Sequence, residues 1–144
     1  MRWLLVATLA CIAGIAASTA SASKPPDPCE LITTADASKV LGSTPPKPKT
    51  KKVDLALSCT YVIKKKAMTI ETTRVATQSA FDKAAQKASL AIPIHGAGAD
   101  AWSVSEGKGL LVWKNGVQVS FSFAGVSPFV ATQLSLAQTA AGRL

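Results

Sequence analysis

The sequence predicts an α+β domain, a five-stranded antiparallel sheet with helices packed mainly on one face, in the order α-β-β-α-β-β-β-α. Three observations lead there. Residues 53–63 (VDLALSCTYVI) alternate apolar and polar side chains at period two. Asn115-Gly116 divides two further strand-like runs with the dipeptide that favours a two-residue hairpin. Helix-start signals at Thr33 and Ser79 separate the strand-rich stretches.

The N-terminus has the layout of an export signal over 1–22. Arg2 supplies the positive end, Leu4 to Ala17 the apolar stretch, and Ala20-Ser21-Ala22 a cleavage site. Thr8-Leu9-Ala10-Cys11 has the outline of a lipoprotein box, but Ile12 to Ala17 continue the apolar run beyond Cys11, which favours cleavage after Ala22 over lipidation. The chain then continues as a proline-rich leader, 23–28, and a single domain, 29–144. Without the leader peptide two cysteines remain, Cys29 and Cys59. An even pair in an exported chain, where thiols are oxidised, predicts one disulfide, with roughly 3.7 kcal/mol of loop-closure entropy for a loop of about 31 residues.

Thr33-Thr34-Ala35-Asp36 places a hydroxyl N-cap three residues before a carboxylate, so a helix is expected over 34–41 with Gly42 as its stop. Ser43–Lys52, with three prolines and four lysines, is expected to be an exposed loop. In 53–63, Val53, Leu55, Leu57, Cys59, Tyr61 and Ile63 share one face, so a bond from Cys59 points into the core. Lys64-Lys65-Lys66 marks a turn into a partner strand, 67–75. Ser79 then caps a second helix to about Leu90, and 94–100 connects to strands at 101–105, 110–114 and 117–123. Ser127 caps a closing helix from Pro128 to about Ala141.

Register extends this reading to a surface. A two-residue turn at Asn115-Gly116 pairs Lys114 with Val117, Val112 with Val119 and Leu110 with Phe121, leaving Leu111 and Trp113 on the opposite face. A turn around Gly107-Lys108 that sets residue 105 opposite 110 places Trp102 against Trp113 and Val104 against Leu111. Trp102, Val104, Leu111 and Trp113 then form an aromatic patch beside Gln118 and Ser120. Either a partner anchors there, or a helix or the leader covers it as core.

Several chemistries lack their residues. One histidine, His95, does not make a His-based metal cluster, and no metal or other cofactor is expected. His95 and Asp100 have no serine on a nucleophile elbow to activate. Gly96-Ala97-Gly98 leads into a strand and lacks the third glycine of a nucleotide fingerprint. The eight acidic residues are scattered, so no acid/base pair stands out and enzyme activity is not expected. The formal charge is +8, near +7 without Arg2 (15 basic residues against 8 acidic). Such a charge suits solubility or acidic partners. Lys51-Lys52 and Lys64-Lys65-Lys66 lie at opposite ends of the expected strand, roughly 40 Å apart, too far for one phosphate site. Aromatics and cations are not interleaved as a nucleic-acid platform requires, and no specific nucleic-acid partner is expected.

The motifs Asp27-Pro28-Cys29-Glu30-Leu31-Ile32-Thr33, Val40-Leu41-Gly42, Cys59-Thr60-Tyr61 and Gly96-Ala97-Gly98-Ala99-Asp100-Ala101-Trp102 together resemble small exported bacterial domains of the DUF3558 type. The resemblance covers most of the mature chain and its motifs mark folding signals. It implies a Cys29–Cys59 disulfide and an α+β envelope domain, and it brings no catalytic residues. Members of that type are lipid-anchored, a feature that Cys11 matches poorly. The sequence thus points to a non-enzymatic periplasmic or secreted domain that binds a protein or an envelope component. An inhibitor or immunity protein against a secreted hydrolase such as a lysozyme-like enzyme is the alternative, and a carrier of an apolar or lipid ligand a further one. Membrane contact is expected only through lipidation at Cys11 or through the basic loops.

Overall fold

The computed structural model describes residues 24–144. The expected signal over 1–22, with Cys11, lies outside the described residues. The described chain runs α1 (Pro28–Leu31), α2 (Thr34–Leu41), β1 (Lys51–Val53), β2 (Ala56–Ile63), β3 (Lys66–Arg74), α3 (Gln78–Lys87), β4 (Ile92–Pro93), β5 (Asp100–Val104), β6 (Gly109–Lys114), β7 (Val117–Ala124) and α4 (Val130–Arg143). The seven strands form one antiparallel sheet in the order β1-β2-β3-β7-β6-β5-β4. The class remains α+β, but the expected five strands and the expected element order are corrected.

Both extra strands are short edges. The alternation across 53–63 hides a turn: Asp54 adopts φ 52°, Val53 pairs with Ala56, and the expected single strand is a hairpin of β1 and β2. Aspartate is among the few residues that enter this left-handed region at modest cost. Leu57, Cys59 and Tyr61 face the core as expected, whereas Val53 and Leu55 are exposed. The hairpin brings Lys51 opposite Ser58, so the two lysine groups are separated by about five residues of strand, roughly 17 Å, and not 40 Å. At the other edge Ile92 and Pro93 pair with Ser103 and Trp102 inside what reads as a loop. An edge tolerates proline because its missing N–H is not needed by a further strand.

The inner face of the sheet carries Cys59, Tyr61, Met68, Ile70, Leu110, Val112, Val119 and Phe121, all buried. It is covered by α1, α2 and α4; Ile32, which follows α1, and Leu41, Leu136, Ala137 and Ala140 of α2 and α4 complete the core. Alanines on α4 let that helix lie close to β6. The outer face carries α3 alone, packed on β5 and β6, so helices stand on both faces.

α2 has the predicted bounds. The Thr33 hydroxyl accepts from the Asp36 N–H, the Asp36 carboxylate accepts from the Thr33 N–H at 3.0 Å, and Gly42 closes the helix at φ 82°. The other two predicted helices begin elsewhere. α3 is capped by Thr77, whose hydroxyl accepts from the Ala80 N–H at 3.2 Å, two residues before Ser79. Its last turn ends at Lys87, short of Leu90, which sits at φ 50°. α4 starts at Val130, not Pro128, and has no side-chain cap. The Pro128 carbonyl instead accepts from the Gln133 side chain, which also donates to the Gly107 carbonyl and ties the helix start to the β5–β6 turn. α1 is a single turn that follows the proline-rich stretch, with Asp27 accepting from the Cys29 N–H.

Cys29 and Cys59 are joined, with their Cα atoms 5.5 Å apart. The bond links α1 to the middle of β2. Around it lies a partly buried polar cluster. The Tyr61 hydroxyl donates to the Ile32 carbonyl, and Arg143 donates to the Leu31 carbonyl and, at 2.8 Å, to the Asp36 carboxylate. Burial alone raises the pKa of Asp36, but the Thr33 N–H, the Arg143 guanidinium and the Thr33 hydroxyl together outweigh it and hold the carboxyl below 3.8. With the folded pKa depressed, this stabilisation is complete above the ordinary carboxylate range and is lost as pH falls through the folded value. Stability measured by chemical denaturation should therefore drop below about pH 4, and Asp36→Asn should flatten that acid limb. An unchanged pH profile in the variant would assign the acid limb to other groups.

Candidate binding surfaces

The β6–β7 register is as expected: Lys114 pairs with Val117, Val112 with Val119, Leu110 with Phe121. The β5–β6 register is displaced by two. Residues 105–108 form a four-residue turn with Ser105, Glu106 and Gly107 at positive φ, so Val104 meets Gly109, Trp102 meets Leu111, and Asp100 meets Trp113. A shift of two preserves side-chain parity. Trp102, Val104, Leu111 and Trp113 thus share the outer face, but the expected Trp102–Trp113 pairing is corrected to a diagonal arrangement.

α3 crosses this patch and divides it. Phe81, fully buried, stacks on Trp113 with ring centroids 6.4 Å apart, and the Trp113 indole N–H donates to the Val75 carbonyl at 2.8 Å. Val104 is buried. Phe81 and Val104 belong to a small second core between helix and sheet, with Trp113 half-buried against Phe81. Trp102 and Leu111 stay half-buried at its margin. Beyond them the outer face of β7, β3 and β2 is a polar, helix-free surface of Gln118, Ser120, Thr69, Glu71 and Thr60, where the Thr60 and Thr69 hydroxyls lie 3.1 Å apart.

Trp102 also lines a groove of about 290 Å³ between α3 and the 93–101 segment. Asp82 of α3, Asp100 of β5 and the exposed His95 border it. The sequence places Asp100 and His95 near Trp102 because they adjoin it in the chain; Asp82 arrives only through the packing of α3. The groove therefore combines one indole with two carboxylates, on a chain whose net charge is strongly positive. A side chain bearing a cation, or a bundle of N–H donors, has partners on both counts there.

A second groove, about 570 Å³, opens at the end of the sheet where β2 turns into β3. Leu41 and Ile63 line its apolar part and Lys64, Lys65 and Lys66 its rim. The Lys66 ammonium donates to the Leu41 carbonyl at 3.4 Å, at the carbonyl end of α2 where a cation is favoured. Gly125 packs against the Lys65 backbone on the same rim.

Among the described residues no group of three or more His, Cys, Asp or Glu side chains could hold a metal ion, and no helix is long and apolar enough to cross a membrane. No family model, curated protein or solved structure matches the chain.

Proposed function

We propose that this chain is an exported, non-enzymatic binding domain that holds a protein partner of the cell envelope through the Trp102 groove on the outer face of the sheet. The observation that carries the reading is the half-open Trp102 beside two carboxylates, at the border of a polar sheet face that no helix covers. A large indole with room on one side and charge on the other is the kind of anchor on which interface energy concentrates. The partner segment that fits presents a lysine or arginine side chain, its cation over the indole and against Asp82 or Asp100. The Cys29–Cys59 disulfide supports the exported setting, since such bonds persist where thiols are oxidised.

The test compares wild-type chain with Trp102→Ala and with Asp82→Asn/Asp100→Asn, each immobilised and exposed to an envelope extract. The expected result is an envelope protein retained by wild type and weakened at least ten-fold by each variant. Thermal midpoints should stay close to wild type, because Trp113 and Phe81 keep their stack. Identical retention by all three chains would remove this groove as the contact site.

A further inference from the structure

We infer that the end of the sheet formed by the β2–β3 hairpin is a docking surface for an anionic lipid bilayer. Antiparallel pairing gathers stretches from across the chain at this end. Ile63 pairs with Lys66 to close the hairpin, and Ala67 pairs with Ala124 where β7 leaves the sheet. Val104 pairs with Gly109, which puts the β5–β6 turn at the same end. The Ser105 N–H donates to the Ser89 carbonyl at 2.7 Å and brings the C-terminus of α3 alongside. Gln133, bonded to the Gly107 carbonyl, brings in the start of α4.

On these stretches four large apolar side chains face solvent: Phe129 (85% exposed), Val130 (66%), Leu90 (60%) and Val62 (48%). Single exposed apolar residues are ordinary on a protein surface. Four at one end, contributed by three separate stretches of the chain, beside a cationic rim are not. Lys64 and Lys65 in the hairpin, Lys87 in the last turn of α3 and Lys108 in the β5–β6 turn are all exposed there, with Glu106 as the opposing carboxylate on that turn. Insertion of Phe129 and its aliphatic neighbours at the headgroup boundary, with lysines against anionic headgroups, is the physical pattern of interfacial binding.

Other occupants fit less well. A second copy of the chain would set one lysine cluster against another. Single-stranded nucleic acid needs flat aromatic faces among the cations, and this end offers Phe129 as its aromatic ring. The end is also held in shape by the contacts of Gly125 with Lys65, Lys66 with Leu41, and Gln133 with Gly107. A bilayer seated here leaves the Trp102 groove, which opens toward the start of α3 and the 93–100 loop, directed away from the lipid.

The experiment is co-sedimentation of the purified chain with phosphatidylcholine vesicles and with vesicles containing phosphatidylglycerol, at low and high salt. Residues 1–23 are the same in every variant, so differences between variants read the sheet end. Expected is binding that requires phosphatidylglycerol and weakens with salt. Lys64→Ser/Lys65→Ser should weaken it by roughly 25-fold, about five-fold per lysine. Phe129→Ala should weaken it by roughly ten-fold while leaving the salt dependence in place. All three positions are exposed, so the unfolding midpoints of the variants should match wild type. Equal binding to both vesicle types, or equal binding by wild type and variants, overturns the inference. So does loss in the lysine variant with none in Phe129→Ala, which would mark a site for soluble polyanions.

Discussion

Replacing both Cys29 and Cys59 by alanine is expected to lower the unfolding free energy by about 3.7 kcal/mol, the loop-closure entropy of a loop near 31 residues. That is a large fraction of what a single domain of this size holds in reserve. The closed loop contains α2, the proline- and lysine-rich 43–50 stretch and β1. An eight-residue helix is marginal in isolation, and β1 is a three-residue edge. Both rely on α1 being pinned to β2, where the Tyr61 hydroxyl and the Arg143 guanidinium meet the carbonyls of Ile32 and Leu31. Urea unfolding of the oxidised, reduced and double-alanine chains checks this. The midpoint should fall in the latter two, with a steeper urea dependence because the unlinked unfolded chain exposes more surface. Coincident midpoints for oxidised and double-alanine chains would show that the bond holds nothing that packing does not.

Gly125→Ala is expected to cost about 3 kcal/mol, from a left-handed backbone and an overpacked contact together. Gly125 sits at φ 67°, and a Cβ there would lie 2.1 Å from the Lys65 carbonyl oxygen. The obstacle is backbone, so no rotamer change relieves it; the β2–β3 hairpin or the exit from β7 must move. The neighbouring Ala124→Ser, exposed at the same strand end, should be neutral and serves as the control. A melting temperature for Gly125→Ala within a degree or two of wild type would mean that the hairpin rides freely over the β7 exit.

Where local chemistry decides the structure, the sequence was sufficient. Thr33 with Asp36 and Gly42 sets both ends of α2, and Asn115-Gly116 sets the β6–β7 register. Where tertiary context decides, it was not. The period-two pattern runs unbroken through Asp54-Leu55, so hydropathy alone shows no hairpin; the signal was a single aspartate able to take a positive φ. Pro93 reads as a stop to the preceding helix, and its place in an edge strand opposite Trp102 carries no sequence signal. Thr77 and Ser79 both offer hydroxyl caps, and the helix uses Thr77, in a placement where Phe81 stacks on Trp113. The candidate surface followed the same division. Parity placed Trp102, Val104, Leu111 and Trp113 on one face correctly, because a register shift of two leaves parity unchanged. That α3 would cover half of the patch, and bring Asp82 to the other half, depends on where a helix lands, which no spacing encodes. The gathering of Lys64, Lys87, Lys108 and Phe129 at one end is likewise a product of topology, with residues 65 positions apart in the chain brought to the same end of the sheet by strand pairing.

The route of the chain through Cys29 has a mechanical consequence. If the molecule is held by its N-terminal side and pulled, tension passes from the leader through the sulfur bridge straight into β2, the strand next to the β1 edge of the sheet. The chain between the two cysteines, which are 30 positions apart, carries no load while the bond is intact, and roughly 100 Å of extensible chain stays locked away until a reductant releases it.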